Sequence, residues 1–273
     1  MMNALINLHR GYGLGDSVQM SAVLRHLAKY RLDWHIDYRN EHNVGRGLIA
    51  NVLNYNEPIP DKHYDIEITI RLYDTWMNWS DRPNTRVSSC LREQFGLDWD
   101  HDCGRYVVNV SDSIGKWASD TIPDRSVAVH YQGDSSQAKK NLHQSQAEEI
   151  LDYIERLGYT PYLLGRHIPK GYDAEVNCAM ISKCVAFVGI DSGPAKCASA
   201  TDTPALVVWT GHHPAPFHDP SPNMTHLVPE GYHGLEPVCS DPGVIAWFEE
   251  HYKVRQYAGD PVLEINRWLG ETL

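Results

Sequence analysis

Short apolar runs alternate with helix-spaced segments in the first half of the chain. The run at residues 4–9 predicts a buried strand, and residues 17–30 carry apolar side chains at the spacing of a helix. Residues 34–39 and 64–74 predict two further strands, and residues 43–56 predict a weaker helix. Strands that alternate with helices favour a parallel sheet with helices on its faces.

The same alternation restarts after a polar, proline-containing break at residues 120–125. The break predicts two α/β domains, residues 1–123 and 124–273, with the final helix expected to pack back on the first domain. Further strands are predicted at residues 126–131, 160–165, 185–190 and 203–211. Helices are predicted at residues 145–159 and 176–184, from 191 onward, and at 242–252 and 260–271, with Gly96 and Gly158 as helix stops.

The charge and the cysteine content limit which binding partners and which cellular compartment are expected. The chain has 35 acidic and 24 basic residues, a formal net charge of −11, and its basic residues are scattered. This disfavours a long nucleic-acid partner and an anionic membrane surface. No apolar run reaches transmembrane length, so no stable membrane insertion is expected. The six cysteines show no C-x-x-C spacing, which favours buried thiols in a cytoplasmic protein.

The first candidate site is the turn "GYGLGD" at residues 11–16, between a predicted strand and a predicted helix. It lacks the third glycine spacing of a dinucleotide fingerprint, G-x-G-x-x-G. An acid at Asp16 would repel a bound pyrophosphate, so Asp16 is better suited to accept a proton. The alternative is a turn in which Asp16 caps the start of the helix.

The second candidate site is "GIDSGPAKCAS" at residues 189–199, where a buried strand ends and Pro194 suits the first helical turn. Backbone N–H groups near Ser192 and Gly193, with the charge of Lys196, favour binding of phosphate. The alternative is a helix capped by Asp191 or Ser192 that binds no anion.

The third candidate site is the loop in "HYQGDSSQAKKNL" at residues 130–142, which follows the first strand of the second half. Ligands of doubly wound sheets lie beyond the carboxyl ends of strands, so this loop and residues 191–196 are expected at the same edge. Lys140, more than Lys139, is expected to meet a diphosphate. The alternative is a solvated loop with surface lysines. The members of this stretch that are candidates for the donor side or the cleft are His130, Gln132, Ser135 and Lys140.

A fourth loop, "GHHPAPFHDP" at residues 211–220, contains His212 and His213 side by side. Adjacent histidines in a proline-rich loop suit tetrahedral metal geometry poorly, and no second ligand cluster is evident. No metal site is therefore predicted, and both histidines are expected to line the cleft.

In order along the chain, several stretches resemble glycosyltransferase family 9, the ADP-heptose:lipopolysaccharide heptosyltransferases. "GYGLGDSVQMSAVLRHL" resembles the family's N-terminal G-x-G-D turn and helix. "VAVHYQGDSSQAKKNL" resembles the strand and K-x-W-like loop that open its C-terminal half. "VGIDSGPAKCASATDTPALVVWTG" resembles its D-[ST]-G-P-x-H block and following strand. The family's final histidine is Lys196 here, and its loop aromatic is Leu142.

The resemblance implies a GT-B fold, two Rossmann-like lobes facing across a cleft. Residues 1–123 would form the acceptor side and residues 124–273 would bind the nucleotide sugar. Asp16 would be the general base and Lys140 a diphosphate contact. The donor side would further include Gly13, Gly15, Asp191, Ser192, Gly193 and Lys196.

The function so implied is an inverting, metal-independent sugar transfer from a nucleotide-diphosphate sugar, with no other cofactor. The acceptor would be a glycan, a lipid-linked sugar or a small molecule, and the net charge disfavours a modified DNA base. Two alternatives stay open. One is a non-catalytic nucleotide- or sugar-binding module. The other is an NAD-dependent oxidoreductase, with Asp37 on the ribose.

Overall fold

The computed structural model describes residues 2–8, 13–39, 52–54, 62–72, 85–133, 137–165, 173–236 and 241–273. Within these ranges the chain forms two parallel β-sheets with helices between their strands. The strands are β1 Met2–Leu8, β2 Trp34–Arg39, β3 Val52–Asn54, β4 Ile66–Ile70, β5 Ser126–His130, β6 Thr160–Leu163, β7 Ala186–Ile190, β8 Ala205–Val208, β9 Met224–Pro229 and β10 Lys253–Tyr257. The helices are α1 Leu14–Tyr30, α2 Arg86–Phe95, α3 His101–Gly104, α4 Asp112–Thr121, α5 Gln137–Lys140, α6 Gln144–Arg156, α7 Ala174–Lys183, α8 Gly193–Ser199, α9 Pro242–His251 and α10 Val262–Thr272.

The first sheet has the strand order β3-β2-β1-β4, and with α1 and α2 it forms what we term the first lobe. The strands pair in parallel, with Ile6 of β1 aligned with Tyr38 of β2 and with Ile68 of β4. The chain builds outward from β1 on one side and then returns to its other side with β4. The carboxyl ends of β1 and β4 thus form the switch point where ligands bind in such sheets. The "GYGLGD" turn follows β1 at this point.

The second sheet has the order β10-β9-β8-β7-β5-β6 and, with the helices from α5 onward, forms the second lobe. Its strands β5 and β7 are buried along their whole length, as expected for a parallel sheet covered on both faces. Its switch point lies between β5 and β7. The loops after these two strands carry Lys140 and Asp191, so the predicted common edge for the two segments is confirmed.

The two lobes share one hydrophobic cluster. Apolar side chains of α1, including Val18 and Leu24, belong to the same buried group as Cys197 and Ala198 of α8. A second cluster covers the other face of the second sheet, where Ile265 of α10 joins side chains of α6. Within the described residues the apolar stripe of α10 is buried against α6, and the return of the last helix to the first lobe stays a prediction.

Two glycine stops of helices are confirmed. Gly96 follows α2 with φ +63°, and Gly158 lies just beyond α6 with φ +79°, a region that favours glycine. The helix predicted at 43–56 is wrong at its end, where residues 52–54 form β3, and the rest of it falls outside the described ranges. The domain boundary near residue 123 stays a prediction, although α4, which precedes it, packs on α7 of the second lobe.

Strands β9 and β10 and helix α4 were not expected from the sequence. Among the described helices, none combines the length and apolar character that crossing a bilayer requires.

Candidate functional site

Asp16 lies in the first turn of α1, directly after the switch point of the first sheet. Its Oδ2 accepts the backbone N–H of Gly13 at 3.0 Å, which is the capping arrangement of an acid at the third helical position. Its Oδ1 accepts a hydrogen bond from Nη1 of Arg86 at 3.1 Å. The Asp16 carboxylate is thus a helix cap and half of an ion pair at once, and the residue is only 7% exposed.

Arg86 is the first residue of α2 and is itself buried. Its guanidinium carbon lies 4.4 Å from the ring centroid of Phe217, a cation–π contact. Its backbone N–H donates to the carbonyl oxygen of Pro216 at 3.0 Å. Both partners belong to the second lobe. No motif singles out Arg86 in the sequence, and only the folded chain brings it to Asp16.

Asp191 is the centre of a buried charge cluster in the second lobe. Lys140 Nζ donates to its Oδ2 at 2.7 Å, and Lys196 Nζ donates to its Oδ1 at 3.2 Å. Burial opposes ionisation of Asp191, but the two ammonium groups outweigh burial and hold its pKa well below the usual range. Burial lowers the pKa of Lys196 to about 8 in spite of Asp191. The three side chains predicted for a phosphate site lie together, with one positive charge in excess.

Two glycines bring the lobes into contact beside these charges. A Cβ on Gly15 would lie 3.1 Å from Cγ of Lys196 and 3.4 Å from Cα of Gly193. A Cβ on Gly193 would lie 2.9 Å from Cβ of Leu14. The absence of side chains at both positions therefore permits the close approach of α1 to α8. This approach places residues 14–15, in the described part of the turn, next to the Asp191 cluster.

Ser192 and His130 extend the second-lobe side of the site. Ser192 Oγ lies 3.0 Å from His130 Nδ1 and donates to the carbonyl oxygen of Ile190 at 3.1 Å. Since a hydroxyl has one proton, Nδ1 of His130 is the donor in this arrangement. Ser192 does not cap α8 with its side chain. The serine is therefore fixed between β5 and β7, at the switch point.

A segment of the second lobe, residues 213–219, reaches into the first lobe, and we term it the latch segment. Its Asp219 accepts hydrogen bonds from Thr85 Oγ1 at 2.5 Å and from Tyr106 hydroxyl at 2.7 Å. Gln19 of α1 donates from Nε2 to the carbonyl oxygen of Phe217 at 3.1 Å. Burial raises the pKa of Asp219 to about 6, and the two donors partly offset this. Buried hydrogen bonds thus hold the two lobes together next to Arg86.

The remaining predicted residues are dispersed. His213 is 1% exposed and packs against Tyr232 and Phe248, so its predicted place on the cleft is wrong. Its aromatic neighbours bury the ring and lower its pKa to about 3. His212 is half-buried, with its ring 5.1 Å from that of Phe217. Gln132 is exposed, and Ser135 lies outside the described residues.

A separate groove of 520 Å³ opens beside α5 and shares no lining residue with the charge cluster. Lys139 lines it and forms an ion pair with Glu236 at 3.6 Å. The two adjacent lysines therefore lie in different places, Lys139 in this groove and Lys140 in the Asp191 cluster. This agrees with the preference for Lys140 in the site.

The oxidoreductase alternative requires Asp37 to bind the ribose of NAD, and the surroundings of Asp37 in this fold argue against that role. Asp37 is completely buried, forms an ion pair with Lys62 and accepts the hydroxyl of Tyr64 at 3.0 Å. In the parts of the chain that the structure describes, no group of three or more histidine, cysteine or acidic side chains has the arrangement of a metal site.

At the level of sequence, no protein-family model and no curated protein matches the chain. Among solved structures, a glycosyl transferase family 9 protein from Veillonella parvula matches with a TM-score of 0.63 and 12% identity, covering 99% of this chain and 96% of its own. E. coli ADP-heptose lps heptosyltransferase II matches with a TM-score of 0.61 and 12% identity, covering 83% and 90%. E. coli heptosyltransferase WaaC with ADP matches with a TM-score of 0.54 and 11% identity, covering 92% and 100%. The chain therefore has the two-lobed GT-B fold of these enzymes.

Proposed function

We propose that the protein is a glycosyltransferase that moves a sugar from a nucleoside diphosphate sugar to an acceptor hydroxyl. One observation carries the proposal. In a fold shared with known sugar transferases, a carboxylate at one switch point lies next to a buried cationic cluster at the facing switch point. Such a pair supplies the two things that sugar transfer needs, a base for the incoming hydroxyl and positive charge for the leaving diphosphate.

Lys140 and Lys196 would stabilise the leaving group. A nucleoside diphosphate gains negative charge as its bond to the sugar breaks, and buried ammonium groups stabilise that charge more strongly than water does. With a pKa of about 8, Lys196 is mostly charged at neutral pH. The surplus positive charge of the Asp191 cluster favours an anion there, and lysines in this role let the reaction proceed without a divalent metal.

Asp16 would act as the general base. Its carboxylate would take the proton of the acceptor hydroxyl while that oxygen forms a bond to the anomeric carbon. The bond from this carbon to the diphosphate oxygen breaks with its electrons leaving on the phosphate. Because the hydroxyl arrives from the first lobe and the diphosphate departs toward the second, the transfer inverts the configuration of the anomeric carbon.

The donor and the acceptor are proposed by class. The solved structures that resemble this chain include WaaC with ADP and TibC, an E. coli heptosyltransferase, in complex with ADP-D-beta-D-heptose. ADP and ADP-sugars are therefore the first donors to test. The acceptor would be a glycan, a lipid-linked sugar or a small molecule, and the scattered basic residues disfavour a base in DNA.

The test combines ligand binding with one substitution. In a thermal-shift panel of nucleoside diphosphates, their sugars and NAD(H), one nucleoside diphosphate and its sugar should stabilise the protein. Asp16→Asn should keep that shift and lose at least about 100-fold in transfer rate, a typical contribution of a general base. Asp33→Asn, an exposed acid of the first lobe, is the matched control.

Three results would contradict the proposal. A shift with NAD alone would favour an oxidoreductase. Donor binding without any transfer would favour a non-catalytic binding module. Transfer by Asp16→Asn at the wild-type rate would remove Asp16 as the base.

A further inference from the structure

Arg86 is the cation that contacts the Asp16 carboxylate. The Nη1–Oδ1 distance is 3.1 Å, and the two side chains are only 10% and 9% exposed. The other carboxylate oxygen is held by the N–H of Gly13. The carboxylate is therefore fixed from two directions, by its own helix and by α2.

The second lobe determines where Arg86 lies. The Phe217 ring lies against the guanidinium, and the Pro216 carbonyl accepts the backbone N–H of Arg86. The residue before it, Thr85, donates its hydroxyl to Asp219. Each of these three contacts comes from the latch segment. A displacement of that segment would release Arg86 from its present position, and with it one of the groups that orient Asp16.

We propose that Arg86 is a positioning residue that orients Asp16 for proton transfer, and that it does so only when the latch segment is seated. This proposal rests on the function proposed above. The Arg86 guanidinium donates to the Asp16 carboxylate, and a charge-assisted hydrogen bond of this kind holds a carboxylate in a defined orientation. Seating of the latch segment would thus assemble the base at the moment when the two lobes close on the donor.

Among the described residues, other charged or titratable groups near Asp16 stay neutral or donate to a different partner. Tyr38 of β2 is fully buried, and burial raises its pKa well above the usual range, so it remains neutral. Lys196 of α8 approaches the turn at Gly15, but its ammonium group donates to Asp191. Lys140 also donates to Asp191. Arg86, by contrast, donates a hydrogen bond to the Asp16 carboxylate itself.

The experiment measures kcat and the KM for the donor in wild type, Arg86→Met and Arg86→Lys. Arg86→Met should lower kcat by about 10- to 100-fold and leave the KM for the donor within about twofold. Arg86→Lys keeps the charge and should restore part of kcat. Phe217→Leu, which keeps the charge but removes the ring, should produce a smaller loss of kcat. Arg255→Met removes an exposed Arg–Glu pair of the second lobe and is the control that should leave kcat unchanged.

A double variant tests whether Arg86 acts through Asp16. In the Asp16→Asn background, Arg86→Met should cost less than about threefold, because a residue that acts through Asp16 has nothing left to orient. Transfer by wild type together with an unchanged kcat in Arg86→Met and Phe217→Leu would overturn the positioning role alone. Absence of transfer by wild type with every donor of the panel would overturn the proposed function and this inference with it.

Discussion

The contact between Gly193 and Leu14 makes a sharp prediction about the closed arrangement of the lobes. Replacing Gly193 by alanine would place a Cβ 2.9 Å from Cβ of Leu14 and 3.0 Å from its Cγ and Cδ2. Carbon atoms in ordinary contact are about 3.5–4.0 Å apart, so α1 and α8 must separate by roughly 0.5–1 Å. Such overpacking typically costs about 1–3 kcal/mol.

A partial compensation comes from the helix itself. Alanine is preferred to glycine inside a helix by up to about 1 kcal/mol, but Gly193 is the first residue of α8, so only part of this gain applies. The expected net loss for Gly193→Ala is therefore about 1–2 kcal/mol. For a chain of this size each kcal/mol lowers the Tm by about 2–4 °C. Gly15→Ala should cost less, because its nearest neighbour at 3.1 Å is the Lys196 side chain rather than an atom attached to the backbone.

Urea unfolding and thermal denaturation measure the effect. Gly234→Ala is the control, because a Cβ there would meet no atom within 4 Å, and its stability should stay within about 0.5 kcal/mol of wild type. If Gly193→Ala is as stable as Gly234→Ala, then α1 and α8 do not touch at this point in solution. The close approach of the two switch points would then be refuted.

Three further predictions concern ligands, pH and metal. In calorimetry, Lys140→Ala should weaken ADP binding by about 10-fold and adenosine binding by less than about twofold, and Lys139→Ala is the control. Equal weakening of both ligands would contradict a phosphate contact by Lys140. Burial lowers the pKa values of His213 and His226 to about 3, so between pH 6.5 and 3 these side chains take up a proton only when the protein unfolds. Each histidine should therefore lower the free energy of unfolding by about 1.4 kcal/mol per pH unit as the pH falls below 6.5. Asp219, with its pKa raised to about 6, offsets the loss of stability from one of the two histidines between pH 6 and 4. The urea midpoint should therefore still fall from pH 7.5 to pH 5. A midpoint that does not change with pH would contradict the buried positions of the histidines. Excess EDTA should leave the transfer rate within about twofold, and a larger loss restored by a divalent cation would contradict the metal-independent mechanism.

Much of the fold could be predicted because parallel strands leave a strong signal. Strand β7 is a continuous apolar run, β5 has the apolar centre Val127 to Val129, and α6 has a clear apolar stripe ended by Gly158. Strands β9 and β10 were missed because "MTHLVP" and "KVRQY" mix polar and apolar residues, without an apolar run. Their strand character comes from pairing with each other and with β8.

The site could be predicted where its residues lie in the segments that follow strands. Lys140 lies in the segment after β5 and Asp191 directly after β7, so topology places them at the same edge of the sheet. Arg86 begins a helix whose sequence carries no ligand motif, and its contact with Asp16 spans 70 positions. His213 was misplaced for the opposite reason. It looks polar in the sequence, but the aromatic side chains that bury it come from residues 232 and 248.

The Thr85 hydroxyl takes part in two hydrogen bonds that have different consequences. It accepts the amide N–H of Ser88 at 3.1 Å, as the cap of α2, and it donates to Asp219 across the lobes. If the lobes separate, the cap loses the partner that holds its rotamer, and the first turn of α2 is freed to fray. Deuterium uptake at the Ser88 amide would then follow the opening frequency of the whole molecule. Exchange of this single backbone proton would therefore report on interlobe motion.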